Sequence, residues 1–234
     1  MSTIIIGDIH GCARALSRML EKLDPSPRRD RLIFLGDLFD RGSESWEVWR
    51  EVRSLADIFG DKFTLLRGNH EDYLLSEKLT FSQKRMWDRV GRQATIRSFR
   101  AHGHQMEETI PWLKEKCRDF YRDEVIQCVH AGLKTEPIEV NDTQTLFHDH
   151  DITEQNRYAG RLTVTGHISL SAPTWFLGDG KTAEKLPVRE ERSLPEKGII
   201  CIDTGCGKGG RLTAMSVDVT EEGAVYRLDS VSER

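Results

Sequence analysis

The feature that most constrains this chain is a recurrence. Five short aliphatic runs, each apolar enough for a buried strand, stop abruptly at glycine and a polar side chain. TIIIG at 3–7 halts at Gly7-Asp8-Ile9-His10-Gly11, and RLIFLGD at 31–37 runs into Gly36-Asp37-Leu38-Phe39-Asp40-Arg41-Gly42. FTLLRG at 63–68 leads to Gly68-Asn69-His70-Glu71, VIQCV to His130-Ala131-Gly132, and LTVT to Gly166-His167. In open α/β sheets, ligands bind at the carboxyl ends of the strands. Glycine there lets the backbone turn tightly and approach a ligand closely.

A single ending of this kind is ambiguous. Asp8, placed before a helix, can serve as an N-cap, and a lone histidine at a strand end is more often a hydrogen-bonded structural residue. Five endings of the same kind point instead to one shared site. Asp8, His10, Asp37, Asn69, His130 and His167 offer oxygen and imidazole donors without a thiolate. That mixture suits Mn, Fe or Zn in a working site, whereas a structural zinc would want cysteine. Six ligands are too many for one four-coordinate ion but match two ions sharing a bridging carboxylate. Metal pairs of that kind serve in-line displacement at phosphorus.

The segments between the strands set the fold class. In ARALSRMLEKL, Leu16, Met19, Leu20 and Leu23 share one helical face, with Pro25 as the stop. SWEVWREVRSLADIFG repeats the pattern with Val48, Val52, Leu55 and Ile58, ending at Gly60. Strand, helix, strand, helix, strand marks an α/β fold. The second half then runs strand after strand through GIICIDTG at 198–205, LTAMSVDV at 212–219 and VYRLDS at 225–230. This order predicts a mixed-sheet β-sandwich flanked by helices, with residues 1–234 forming one domain. Residues 76–122 break the rhythm as a helical insertion, basic early on through Lys84, Arg85, Arg89, Arg92, Arg97 and Arg100. Those charges make either a solvated face or a surface that draws in anionic substrate. Residues 178–197, polar and holding two prolines, read as a long surface loop.

Composition narrows the partners. The 34 basic and 38 acidic residues give a net charge of -4, which offers no general case for a nucleic-acid binder. No apolar run approaches the ~18 residues of a membrane span. Ile4–Ile6 is too short for a signal-peptide core and has no basic residue before it, so the expected compartment is the cytoplasm. The five cysteines are odd in number and form no C-x-x-C, as expected of free thiols.

GDIHG, GDLFDRG, GNHE, VHAG and GH, in this order, resemble the calcineurin-like metallophosphoesterases. More narrowly they are similar to the phosphoprotein phosphatase family, which includes small bacterial and phage serine/threonine phosphatases and symmetrical diadenosine tetraphosphatases. The resemblance runs from residue 4 to about 215, where IDTGCGKGGRLTAM matches the closing strand pair. The wider superfamily often ends on G-H-x-H, whereas Gly166-His167-Ile168-Ser169 has no second histidine. The resemblance implies a four-layer sandwich with Asp8 and His10 on one metal and Asp37 bridging. Asn69, His130 and His167 would hold the other. It also implies His70 as general acid, Asp40 as the carboxylate that orients it, and Arg41 as a phosphate-binding arginine.

One departure stands out. The family places a second phosphate-binding arginine after a Leu-Trp pair, and the matching stretch, Leu146-Phe147-His148-Asp149-His150-Asp151, has none. Arg157 and Arg161 lie downstream as candidates, while His148 and His150 are either a metal-tuning patch or a solvated loop. The resemblance implies a phosphomonoesterase dependent on two divalent transition metals, manganese foremost, acting as a serine/threonine protein phosphatase. Its partner is then a phosphorylated protein or a small phosphate compound, with no nucleic acid and no membrane. The rival within the family is a symmetrical dinucleoside tetraphosphate hydrolase or another small-molecule phosphatase. The rival from another class is a non-catalytic phosphate-binding module.

Overall fold

The computed structural model describes residues 2–233. The chain runs β1 (Ser2–Ile6), α1 (Ala13–Leu23), β2 (Asp30–Phe34), α2 (Ser45–Phe59), β3 (Phe63–Leu66) and α3 (Asn69–Leu75). It continues with α4 (Phe81–Arg89), α5 (Arg92–Ala101), α6 (Ile110–Lys116), β4 (Cys117–Arg118), β5 (Phe120–Arg122) and β6 (Gln127–Val129). There follow α7 (Thr143–His148), α8 (Asp151–Glu154), β7 (Thr163–Thr165), β8 (Thr174–Phe176), β9 (Ala183–Lys185) and β10 (Glu191–Ser193). The last strands are β11 (Ile199–Cys201), β12 (Arg211–Thr220) and β13 (Gly223–Ser232).

Two mixed sheets form, as the element order predicts. The first runs β10-β13-β12-β1-β2-β3-β4 and the second β5-β6-β7-β11-β8-β9. β1, β2 and β3 are mutually parallel, with Ile5 opposite Ile33 and Ile33 opposite Thr64. β6, β7 and β11 are likewise parallel. Right-handed crossovers through helices are the usual way to join parallel neighbours, and α1 and α2 fill that place between β1, β2 and β3.

The three isoleucines of β1 serve two cores, because side chains alternate across a strand. Ile5 joins Ile33, Leu66, Val164, Ile200 and Met215 between the sheets. Ile4 and Ile6 face the other way, onto Leu16, Met19, Val48 and Val52 of α1 and α2. A third cluster covers the outer face of the second sheet, where Leu146, Phe147 and Ile152 of α7 and α8 meet Val129, Ile199 and Cys201. The result is four layers, helix on sheet on sheet on helix.

Three expectations need correction. Ile58 is 58% exposed, and Phe59, at 5%, takes the buried end of α2. The helical stretch stops at Lys116, and Cys117–Arg118 and Phe120–Arg122 are strands, one in each sheet. Residues 178–197 are not all loop, because β9 and β10 lie there as strands at the edges of the two sheets. Their six residues are all exposed, so they pair through backbone alone and show no apolar alternation. No helix among the described residues is long and apolar enough to cross a membrane.

Candidate active site

The carboxyl ends of five parallel strands converge. β1 delivers Asp8 and His10, β2 delivers Asp37, Asp40 and Arg41, and β3 delivers Asn69 and His70 at the start of α3. β6 and β7 deliver His130 and His167. Asp8, His10, Asp37, Asp40, His70 and His130 are all at most 2% exposed, an unusual concentration of buried polar groups. Five residues of this set, His10, Asp37, Asp40, Arg41 and His167, have φ between 48° and 69°. Each left-handed residue without glycine's freedom costs on the order of 1–3 kcal/mol and persists only where the surroundings over-determine it. The strain turns these side chains inward from the strand tips.

Glycine appears where a carboxylate needs the space. A Cβ on Gly166 would lie 2.0 Å from Asp8 Oδ1, and one on Gly68 would lie 2.3 Å from Asp37 Oδ1. The glycines that fence the strand endings thus make room for the acids of neighbouring endings.

Asp37 is the hub. His10 Nε2 lies 3.4 Å from Asp37 Oδ2, and His130 Nε2 lies 3.5 Å from Asp37 Oδ1. Asn69 Oδ1 is 3.1 Å from His130 Nε2 and 2.9 Å from His167 Nδ1. On the other side, His10 Nε2 stands 3.9 Å from Asp8 Oδ2. Asp37 with His10 and His70, and Asp37 with His130 and His167, form two groups whose ligand atoms lie within 4.8 Å of one another.

These contacts fit cations. The Nδ1 of His10 donates to the Phe39 carbonyl at 2.9 Å, and the Nδ1 of His130 donates to the Leu35 carbonyl at 2.8 Å. Each neutral ring therefore aims its Nε2 lone pair at carboxylate or amide oxygens, so that acceptors face acceptors until a positive charge sits between them. Burial lowers the pKa of His10 and of His130, so neither ring supplies that charge itself. His167 is pushed down to about 2 by burial and by His130 beside it. Burial, with the charges of Asp203 and Asp37, pushes Asp8 well up, a repulsion that a divalent ion would relieve. Asp8 Oδ1 and the Nε2 atoms of His10 and His167 are buried without a hydrogen-bond partner.

His70 differs. Its Nδ1 is 2.6 Å from Asp40 Oδ2, and its Nε2 is left without a partner, 3.8 Å from Asp37 Oδ2. Burial opposes a charged ring, but Asp37 and Asp40 outweigh it and raise the His70 pKa. A protonated imidazole is a proton donor and not a metal ligand.

The helical segment is the support for this corner. Trp87 of α4 donates its Nε1–H to Asp40 Oδ2 at 2.6 Å, and Thr95 of α5 donates its Oγ1–H to Asp40 Oδ1 at 2.7 Å. Gly91 between them presses on the backbone of Arg41, where a Cβ would come within 2.3 Å of the Arg41 nitrogen. Of the basic residues noted early in the segment, Lys84, Arg85, Arg89, Arg97 and Arg100 are exposed, while Arg92 stacks over Trp87 at 4.4 Å.

Two further acids matter. Glu71, fully buried, accepts the backbone N–H groups of Asp37 at 2.8 Å, Leu38 at 2.9 Å and Gly68 at 3.1 Å. Burial and Asp37 push its pKa up to about 7. At the third residue of α3 its side chain reaches back to the N–H of Gly68, the residue that precedes the helix. Asp203, just past β11, is 1% exposed and accepts Ser169 Oγ–H at 2.7 Å. Like the five endings above, it follows a buried aliphatic strand as a polar side chain near glycine, here Asp203-Thr204-Gly205.

The stretch without the expected arginine is partly drawn in. His148 binds Asp72 at 2.9 Å, and Asp72 pairs with Arg67 at 2.7 Å. His150 stands edge-on to His167 with ring centres 4.7 Å apart. Arg161 is turned away, donating to the Asp123 carbonyl. Arg157 lines a cavity of about 230 Å³ with Lys134, Asp149 and Tyr158.

Residues 1–211 match the model of the calcineurin-like phosphoesterase family. A symmetrical bis(5'-nucleosyl)-tetraphosphatase of Cronobacter sakazakii is 28% identical over 268 residues, covering 92% of this chain and 90% of its own. A metallophosphoesterase of Sphaerobacter thermophilus shares the fold at 16% identity and TM-score 0.65, covering 98% of this chain and 88% of its own. A protein serine/threonine phosphatase of Saccharomyces cerevisiae does so at 15% identity and TM-score 0.53, covering 98% and 79%. With nine-tenths of its length matched, the chain belongs to the calcineurin-like phosphoesterases and is a hydrolase of that family.

Proposed function

We propose that this protein hydrolyses dinucleoside tetraphosphates symmetrically, releasing two nucleoside diphosphates. The observation that carries this is the near full-length similarity to symmetrical tetraphosphatases, 92% of this chain against 90% of the relative. The expectation of a serine/threonine protein phosphatase is set aside, because that similarity extends to the fold alone, at 15% identity.

Asp8, His10 and Asp37 would hold one divalent ion, and Asp37, Asn69, His130 and His167 a second, with manganese a suitable occupant for this oxygen and imidazole set. Such a pair, when bound, neutralises phosphoryl oxygens and makes water a nucleophile at neutral pH. The remaining chemistry belongs to the chain. Arg41 keeps a buried Nη1 without a partner, ready for a non-bridging oxygen. A water oxygen bonds to one central phosphorus, and the bond to the oxygen bridging the two central phosphates breaks. His70 gives its Nε2 proton to that departing oxygen while Asp40 holds Nδ1. Because a leaving phosphate has a pKa of ~6, this proton matters less here than for an alkoxide.

The test is product analysis. Manganese-loaded protein given diadenosine tetraphosphate should yield two ADP per molecule. Either ATP plus AMP, or an intact dinucleotide alongside free phosphate from a phosphoserine peptide, overturns the proposal.

A further inference from the structure

The missing arginine leaves one cation too few at the mouth of the site, and the turn after β11 supplies one. The segment Gly205-Cys206-Gly207-Lys208-Gly209-Gly210 closes on itself, with Lys208 N–H donating to the Gly205 carbonyl at 2.9 Å and Gly210 N–H to the same carbonyl at 3.0 Å. Gly205, Gly207 and Gly209 have φ of 82°, 79° and 90°. Gly207 is seated against the metal loops, since a Cβ there would lie 2.6 Å from His10 Cβ and 3.2 Å from Arg41 Cβ. The turn that carries Lys208 is therefore fixed to the two loops that bear His10 and Arg41.

The side chain reaches the opposite wall. Lys208 Nζ donates to Ser169 Oγ at 2.7 Å, and Ser169, two residues past His167, donates in turn to Asp203. An ammonium has three donors, so the bond to Ser169 leaves others free. The charges that act on it are Arg41, Asp203, Asp8 and Asp37, the polar floor of the site. Arg41 is the inner cation, with its Nη1 buried, whereas Lys208 is exposed at the rim.

We infer that Lys208 binds a second phosphate, the one next to the phosphate under attack, and so selects substrates with a phosphoanhydride chain over simple monoesters. The two non-bridging oxygens of the attacked central phosphate would be met by the ions and Arg41. A neighbouring phosphate brings its own charge to the rim, where the Lys208 ammonium is placed to meet it. A flexible point charge suits that freer group better than a planar fork would. This deepens the proposed function, and rests on it for the identity of the chain of phosphates.

Calorimetric titration of the manganese-loaded protein with methylenebisphosphonate and with methylphosphonate tests the inference without turnover. The wild type should prefer the bisphosphonate. Lys208→Met should weaken the bisphosphonate about tenfold, equivalent to about 1.4 kcal/mol, and the monophosphonate less than threefold. Lys208→Arg should stay within threefold of wild type for both. Equal losses for both ligands, no loss for either, or an arginine variant as weak as the methionine one overturns it. If the dinucleotide is not cleaved but Lys208 still discriminates between the phosphonates, only the proposed substrate falls.

Discussion

Asp40 binds His70, Trp87 and Thr95 with its two oxygens, so the charge that sets the His70 proton is shared three ways. The sign of its effect follows directly. A raised His70 pKa keeps the ring protonated as pH climbs past the ordinary histidine value, so the limb of the pH profile that His70 sets should be the alkaline one. Asp40→Asn removes the nearest counter-charge on Nδ1, and the alkaline limb of kcat/KM should then move to lower pH. A pH–rate profile checks this, and an unmoved limb would show that another group sets it. The same physics governs stability: below the unfolded-state pKa the favourable interaction of protonated His70 is fully present, and it is lost as pH rises through the folded-state value.

α4 and α5 turn a surface helical segment into part of the active-site frame. Trp87 and Thr95 point inward, Gly91 lets the pair sit on Arg41, and the exposed basic residues lie on the outer face. Trp87→Phe keeps most of the packing and deletes one hydrogen bond to a charged carboxylate, worth ~1.5–3 kcal/mol. For a chain of this length that predicts a fall in Tm of about 3–12 °C. It also leaves more of the Asp40 charge to His70, so the alkaline limb should shift upward, opposite to Asp40→Asn. Thermal melts and paired pH profiles test this, and shifts of the same sign in both variants would contradict the sharing of Asp40.

For the whole molecule, the site is a meeting of loops from both sheets at which buried carboxylates repel one another. Asp8, Asp37 and Asp203 are each about 1–2% exposed, and Asp8 and Asp37 face imidazole lone pairs. Ions that bind the folded state alone should therefore staple the two sheets. At a free manganese concentration ~100 times Kd, the gain is ~2.7 kcal/mol, a rise in Tm of about 5–11 °C. The rise should vanish in His10→Ala and be reversed by a chelator. A melt indifferent to manganese would refute the metal assignment.

Much of this was legible in the residues themselves. The strand–helix alternation of the first half, the doubly buried strand at Ile4–Ile6 and the six polar residues at the strand tips follow from local patterns, because a buried aliphatic run that stops at glycine and a polar side chain is informative wherever it occurs. His70, Asp40 and Arg41, by contrast, were singled out by the family resemblance. Glu71 and Asp203 carried the same kind of local signal and lacked only a partner to explain them. Edge strands β9 and β10 left no trace, since backbone pairing between exposed residues imposes no periodicity. Trp87, Thr95 and Lys208 were beyond local pattern for another reason: 47 residues separate Trp87 from Asp40, and 39 separate Lys208 from Ser169. The sequence by itself determined which side chains stand at the strand tips. Only the tertiary structure decided what supports them and what guards the rim, because those contacts join distant segments that meet only once the two sheets have closed on a common core.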